Sequence, residues 1–321
     1  MRKKVTCHCE RPTAADLLDC FALRARNDMT GFTLAEVLIT LGIIGVVAAL
    51  VMPALIADYK QKAYDAARKK ALTTIGQAVR VITVNGGIGD AADAQDFVEN
   101  HLREQIKILK TCDNNNLRNC GIETNTKAIK TLAGTSTTMP KTLHSLAQGM
   151  SYGATTNTDT QSYGFVMANG YSVNLFYNPK CMQDDPNNGH YGQDRVCVNA
   201  VYDMNGLGRP NQAGKDIGFV TVIYPDESSV AYAPDVFKEH AVVSDFDTAA
   251  QACTNQNPDY SVPNRDELNA MYMNMNILGM SSGRYWIASK TLDLGWWQNF
   301  TSGYRGRYTQ SGIYYVLCVR R

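Results

Sequence analysis

The chain has 321 residues, 45% of them hydrophobic, and its 31 basic residues are balanced by 30 acidic ones. Such balance argues against a nucleic-acid-binding surface as the main function. Five scattered histidines (His8, His101, His144, His190 and His240), with no His-Glu-x-x-His, no nucleophile elbow and no clustered Asp/Glu pair, argue against an enzyme.

Residues 1–31 carry Arg2, Lys3, Lys4, Arg11, Arg24 and Arg26 against Glu10, Asp16, Asp19 and Asp28. This excess of positive charge keeps the segment on the cytoplasmic side of a membrane. Cys7, His8 and Cys9 stand together, but no second ligand pair follows at zinc spacing. A nearly unbroken apolar run follows from Phe32 to Ala57, long enough to span a bilayer. Glu36 is its only charge, and a carboxylate in hydrocarbon costs about 2.5–3.5 kcal/mol or more, so it needs a partner or a task. An ordinary secretory signal has a shorter apolar region with the cleavage site after it, and a plain anchor has no use for Glu36.

The stretch Gly31-Phe32-Thr33-Leu34-Ala35-Glu36, the Ile/Val/Leu run behind it and Pro53 resemble the start of type IV pilins and type II secretion pseudopilins. The resemblance implies that a prepilin peptidase/methyltransferase cuts after Gly31 and methylates the new amino terminus at Phe32. It also implies that Glu36 neutralises the amine of Phe32 in a neighbouring pilin subunit, so that a buried charge is paired. The precursor is then expected as a single-pass protein of the bacterial inner membrane, and the mature subunit in a periplasmic or extracellular filament. Residues 1–31 form a leader of the long type, or reflect a start codon placed too early.

The mature chain keeps six cysteines, Cys112, Cys120, Cys181, Cys197, Cys253 and Cys318. An even number in an exported protein reads as a disulfide set, with about fifteen connectivities open to six cysteines. Local spacing favours 112–120, 181–197 and 253–318.

Helical periodicity continues past the apolar run through Tyr64, Ala67, Ala71, Ile75, Ala78 and Ile82, and Asn85-Gly86-Gly87 stops it. One helix over 32–84 is therefore predicted, its first part in membrane or filament core and its second laid on a globular head. A second helix is predicted at 91–109, then loops over 111–162 with a short helix near 140–147. Strands follow at 165–168 and 171–176 around Asn169-Gly170, a strong hairpin signal, and at 196–202, 217–224 and 230–233. The fold class is α+β. A long helix on an antiparallel sheet is the pilin architecture that the resemblance implies, with the head at 85–239.

Two segments carry further candidate sites. In 203–216, Asp203, Asn205 and Asp216 offer oxygen ligands of the kind calcium takes, and the stretch resembles a pseudopilin loop that binds calcium in some members. The same residues also suit a turn-rich connection, and the EF-hand pattern is absent. Residues 240–321 hold helical signals at 246–253 and 265–276, then aromatic strands at 285–289, 296–300 and 314–319. The pieces Val262-Pro263-Asn264-Arg265-Asp266-Glu267-Leu268, Tyr285-Trp286 and Cys318-Val319-Arg320 resemble a lectin-like module of bacterial surface adhesins, related to C-type lectins. In that resemblance, the Cys253–Cys318 link ties the module's first helix to its last strand. Trp296, Trp297, Tyr304, Arg305, Arg307 and Tyr308, the last four read as a Gly-rich loop, are the residue types that bind glycans and other surface ligands; alternatively the aromatics fill a small core. A pilus subunit, minor or at the tip, and a secretion pseudopilin are both compatible with this chain. A bulky extra module crowds the repeated packing of a major subunit.

Overall fold

A computed structural model describes residues 33–142, 161–179, 195–224, 230–232, 237–243, 245–256, 258–291, 294–301, 303–309, 312 and 314–320. The chain divides into two compact units, Met1–Tyr59 and Lys60–Arg321. Helix α1, Leu34–Val84, contributes to both and contains Pro53, which removes a single main-chain donor from the helix.

In the first unit every side chain from Leu34 to Tyr59 is exposed apart from half-buried Ala48, including Leu38, Ile39, Leu41, Ile43, Ile44, Leu50 and Leu55. The helix is long and apolar enough to cross a membrane.

In the second unit α1 turns amphipathic and buries Ala71, Ile75, Ala78, Val79 and Ile82 on one face. A short helical segment, α2, runs as Ala94–Asp96, Phe97–Leu102 and Arg103–Gln105, its middle piece wound as a π-helix. Next come β1 (Ile108–Cys112), the small hairpin β2 (Ile129–Lys130) and β3 (Ser136–Thr137), then β4 (Tyr163–Met167), β5 (Ser172–Tyr177), β6 (Arg195–Asp203), β7 (Ile217–Tyr224) and β8 (Val230–Tyr232). Strands β1, β4, β5, β6, β7 and β8 form a six-stranded antiparallel sheet in that order. Alternate side chains go to opposite faces. Val173, Leu175, Tyr177, Val198, Ala200, Tyr202 and Val220 meet α1 and α2. Phe176, Val201 and Phe219 point the other way.

That other face is covered by the C-terminal part of the chain. After β9 (Phe237–Val243) come α3 (Phe246–Gln256), β10 (Tyr260–Ser261), α4 (Arg265–Met273), α5 (Met275–Leu278), β11 (Arg284–Thr291), β12 (Leu294–Asn299), β13 (Arg305–Thr309) and β14 (Tyr314–Arg320). The second sheet has the order β10-β14-β11-β12-β13, with β9 also paired to β14. One face holds α3 through Phe246, Ala249 and Cys253 against Trp286, Trp297, Tyr314 and Val316. The opposite face, with Tyr285, Ile287, Leu317 and Val319, joins Leu268, Met271, Tyr272, Ile277 and Leu278 of α4 and α5, which join Phe176, Val201 and Phe219 of the first sheet in the same cluster. Helices α4 and α5 are thus a layer shared by two sheets. Asn264 starts α4 with a capping box: it accepts from the Glu267 N–H while Glu267 accepts from its N–H, both at 2.8 Å.

Several elements differ from the sequence expectation: the stretch 111–162, expected as loops, holds the β2–β3 hairpin, and the two-residue strand β10 was not expected. The predicted 91–109 helix ends at Gln105, where Ile106 turns extended ahead of β1; Leu109, inside the predicted helix, lies on β1 and is 59% exposed. Residues 305–309, read as loop, form strand β13, and β9 was not predicted. Most of the helix expected near 140–147 lies outside the described residues.

Candidate functional site

The amino-terminal motif begins outside the described residues, which exclude Gly31 and Phe32. Immediately after it, Thr33 and Glu36 close the first turn of α1. The Thr33 N–H and hydroxyl each donate to Glu36 Oε2 at 2.9 Å, and the Glu36 N–H donates back to Thr33 Oγ1 at 3.2 Å. This is a capping box, in which the carboxylate also suits the positive end of the helix dipole. Thr33 was not singled out from the sequence, although Thr-x-x-Glu before an apolar run is its signature. Glu36 is thus held at the helix start by its own chain, within a surface that is otherwise hydrocarbon.

The 203–216 loop is built differently. Asp203 and Asp216 are both buried. Asp216 accepts from the N–H groups of Asn211 and Gln212, one on each oxygen, at 2.8 Å, and Asp203 accepts from the Asn205 N–H at 3.0 Å. Burial pushes the Asp203 carboxyl up to about 8; the Asn205 N–H pulls against this, and the neighbouring Asp216 carboxylate adds to it. The Asn211 side-chain amide, assigned with its nitrogen toward the two acceptors it faces, donates to the carbonyls of Gly208 at 2.5 Å and Gly206 at 3.2 Å. Arg68, buried on α1 and paired with Asp65, donates to the Gly214 carbonyl at 3.3 Å. The loop is therefore closed by its own amides and clasped by the helix. Among the described residues no group of three or more His, Cys, Asp or Glu side chains gathers for a metal ion. As arranged, the loop offers calcium two carboxylates already engaged by N–H groups, and Asn205 donates its side-chain nitrogen to the Arg209 carbonyl at 3.2 Å.

Disulfides join Cys112 to Cys120 and Cys253 to Cys318. Cys197 is also disulfide-bonded, and Cys181 lies outside the described residues.

The aromatic and basic residues of the C-terminal part are divided between two faces of the second sheet. Trp296 opposes Arg307 and Gln298 opposes Arg305, whereas Trp297 opposes Gly306. Trp296 packs against the core shared with α4 and α5, with the Arg307 guanidinium 5.0 Å from its ring centre. Trp297 belongs to the other face, 8% exposed, against Tyr304 at 5.6 Å and Tyr314 at 5.9 Å, with the Arg284 guanidinium 4.6 Å above it. Arg305 is 5% exposed and Tyr304 is 45% exposed, while Tyr308 stands on β13 opposite Gly295. The candidates therefore do not share one face; among the side chains described, Tyr304 and Arg284 are exposed on one side and Arg307 on the other. Trp286 is wholly buried, its ring over Gly295, where a Cβ would lie 2.5 Å away.

Residues 26–52 match the family described as the prokaryotic N-terminal methylation motif. The matched segment contains Gly31, Phe32, the Thr33–Glu36 box and the exposed apolar helix as far as Met52. That motif suggests a type IV pilin-like or pseudopilin subunit, and it implies processing by prepilin peptidase and assembly with other pilin subunits. Comparison with curated proteins gives no match. A membrane-anchored precursor followed by a filament subunit fits both the motif and the apolar helix.

Proposed function

We propose that this chain is a prepilin-like subunit, cut between Gly31 and Phe32, methylated at Phe32 and assembled through α1 into a type IV pilus-like filament. The observation that carries the reading is the exposed apolar surface of Leu34–Ala57 with Glu36 as its only charge. Such a surface is covered by lipid before assembly and by other subunits afterwards, and a carboxylate inside it calls for a cationic partner. The free amine of a neighbouring subunit's Phe32 supplies one. Intact-mass analysis of the mature protein tests processing: the expected result is loss of residues 1–31 and one added methyl group. Glu36→Val is expected to insert and be cut yet to enter filaments poorly, because the amine then has no carboxylate. A filament subunit that retains residues 1–31, or normal incorporation of Glu36→Val, removes the basis of the reading.

The bulk of the C-terminal part favours a minor or tip position, and its Tyr304 and Arg284 side chains, which share one side of the second sheet, suit a surface ligand such as a glycan. Tyr304→Ala with Arg284→Ala is expected to lower binding to cells and glycan arrays while leaving the fold intact. The second reading, a secretion pseudopilin whose extra part contacts cargo, shares every processing step. Calcium held by Asp203, Asn205 and Asp216 is a separate proposal, which requires both carboxylates to exchange N–H partners for the ion. A calcium-dependent rise in melting temperature, lost in Asp203→Asn, tests it.

A further inference from the structure

Three polar side chains with no solvent exposure lie where the first sheet meets the C-terminal helices: Asn199 on β6, Thr221 on β7 and Asn274 between α4 and α5. The two amides face each other reciprocally, each Nδ2 donating to the other's Oδ1 at 3.0 Å. The Thr221 hydroxyl donates to Asn199 Oδ1 at 2.5 Å. Asn274 Nδ2 also reaches Thr221 Oγ1 at 3.3 Å and the Ala270 carbonyl at 2.8 Å. The surroundings are apolar, built from residues such as Phe176, Val201, Phe219, Met271 and Ile277.

An apolar seam alone tolerates many offsets between its two sides. A closed set of amide bonds within it does not, since any slip strands buried donors and acceptors together. The β2–β3 hairpin adds a second grip on the same helices. The Leu132 N–H donates to the Leu278 carbonyl at 3.4 Å and the Thr137 hydroxyl to the Asn276 carbonyl at 3.2 Å. Gly279 ends α5 with φ 73°, and a Cβ there would stand 2.6 Å from Thr131.

We propose that Asn199, Thr221 and Asn274 form a key that fixes one docking position of the C-terminal part on the first sheet. Residues 60–321 then unfold as one cooperative body, and the C-terminal part is required for an assembly-competent head. Only the assembly clause rests on the filament reading above; the docking clause stands without it.

The test uses the full mature chain in detergent micelles. All three tryptophans, Trp286, Trp296 and Trp297, lie in the C-terminal part, so their fluorescence reports the second sheet, while amide exchange of β5 and β6 reports the first. Denaturant titration is expected to give coincident midpoints for the two reports. Asn274→Leu strands the Asn199 side-chain nitrogen, whose acceptor is Asn274 Oδ1, and is expected to lower the common midpoint and cut protection of β5 and β6 by tenfold or more. The triple variant Asn199→Leu, Thr221→Val, Asn274→Leu removes every side-chain donor and acceptor of the set together and takes from the main chain only the Asn274 bond to the Ala270 carbonyl; it is expected to recover most of the midpoint yet let the two reports separate and the 245–320 region become protease-sensitive. Separate midpoints in the wild type overturn the docking clause, as does a triple variant with wild-type coincidence and protease resistance. Normal filament incorporation of a destabilised but correctly cut Asn274→Leu overturns the assembly clause. Glu36→Val separately decides the filament reading.

Discussion

Thr33 and Glu36 show how much one local bond set can do for a residue whose task lies elsewhere. Both Thr33 donors converge on Glu36 Oε2, so the carboxylate is oriented at the start of α1 before any partner subunit arrives. Thr33→Ala removes the hydroxyl half of the box, a loss of about 0.5–2 kcal/mol to the first turn. The expected outcome is faster amide exchange at Glu36 and Val37 in micelles, with Thr33→Ser close to wild type. At the other end of the helix, Tyr177 is buried and donates to the Ile88 carbonyl at 2.7 Å. Burial, with the Asp90 charge adding to it, pushes its hydroxyl up to about 12. The unfolded chain loses that proton near pH 10. The stabilisation is therefore fully present below about pH 10 and is lost as pH rises toward about 12, a span on the order of 2–3 kcal/mol. Denaturant melts between pH 9 and 12 should show this decline, and Tyr177→Phe should lose that part of it.

At the level of elements, periodicity made the long helix and the central strands legible, because burial and repeat agree there. Tyr64 to Ile82 repeats at helical steps, and Asn169-Gly170 announces the β4–β5 hairpin, with Gly170 at φ 87°. The elements that were missed are those in which a neighbour supplies what the sequence lacks. Strand β13 reads Arg-Gly-Arg-Tyr-Thr and has little strand propensity of its own. Its Gly306 is covered by Trp297 from the adjacent strand, and its Arg307 lies over Trp296. The end of α2 was missed because Ile106 and Leu109 continue the helical spacing, and the switch to β1 comes from pairing with β4. The amide key was invisible for a similar reason: Asn199 and Thr221 in strands and Asn274 in a helical segment carry no local sign that they meet. The glycine-for-indole fit has a direct consequence at Gly295, where a Cβ would lie 2.5 Å from the Trp286 ring. Gly295→Val is expected to cost about 1–3 kcal/mol by overpacking, with a changed near-ultraviolet circular dichroism from the displaced indole.

At the scale of the molecule, residues 60–321 are layered as helix, sheet, helix, sheet, helix, a head enlarged by the C-terminal part, with α4 and α5 serving both sheets. Loss of order at one end therefore propagates. The two described disulfides make this measurable, because they close loops of very different length. Cys112 and Cys120 are 8 residues apart, and Cys253 and Cys318 are 65 apart. The chain-entropy model gives about 2.5 kcal/mol for the first and about 4 kcal/mol for the second. Cys253 lies on α3 and Cys318 on β14, both wholly buried in the cluster with Trp286. Replacing both by alanine loosens the outermost helix layer first, yet β14 also contributes Leu317 and Val319 to the core that α4 shares with the first sheet. The Cys253→Ala/Cys318→Ala variant is therefore expected to lower the melting temperature of the whole head by about 8–16 °C, with amide protection in β5 and β6 falling along with it. The Cys112→Ala/Cys120→Ala variant should show a shift about half as large. If the first variant loses protection only in residues 245–320, while β5 and β6 exchange as in wild type, the layers do not act as one body, and a pull on the C-terminal part would not be transmitted to the sheet on α1.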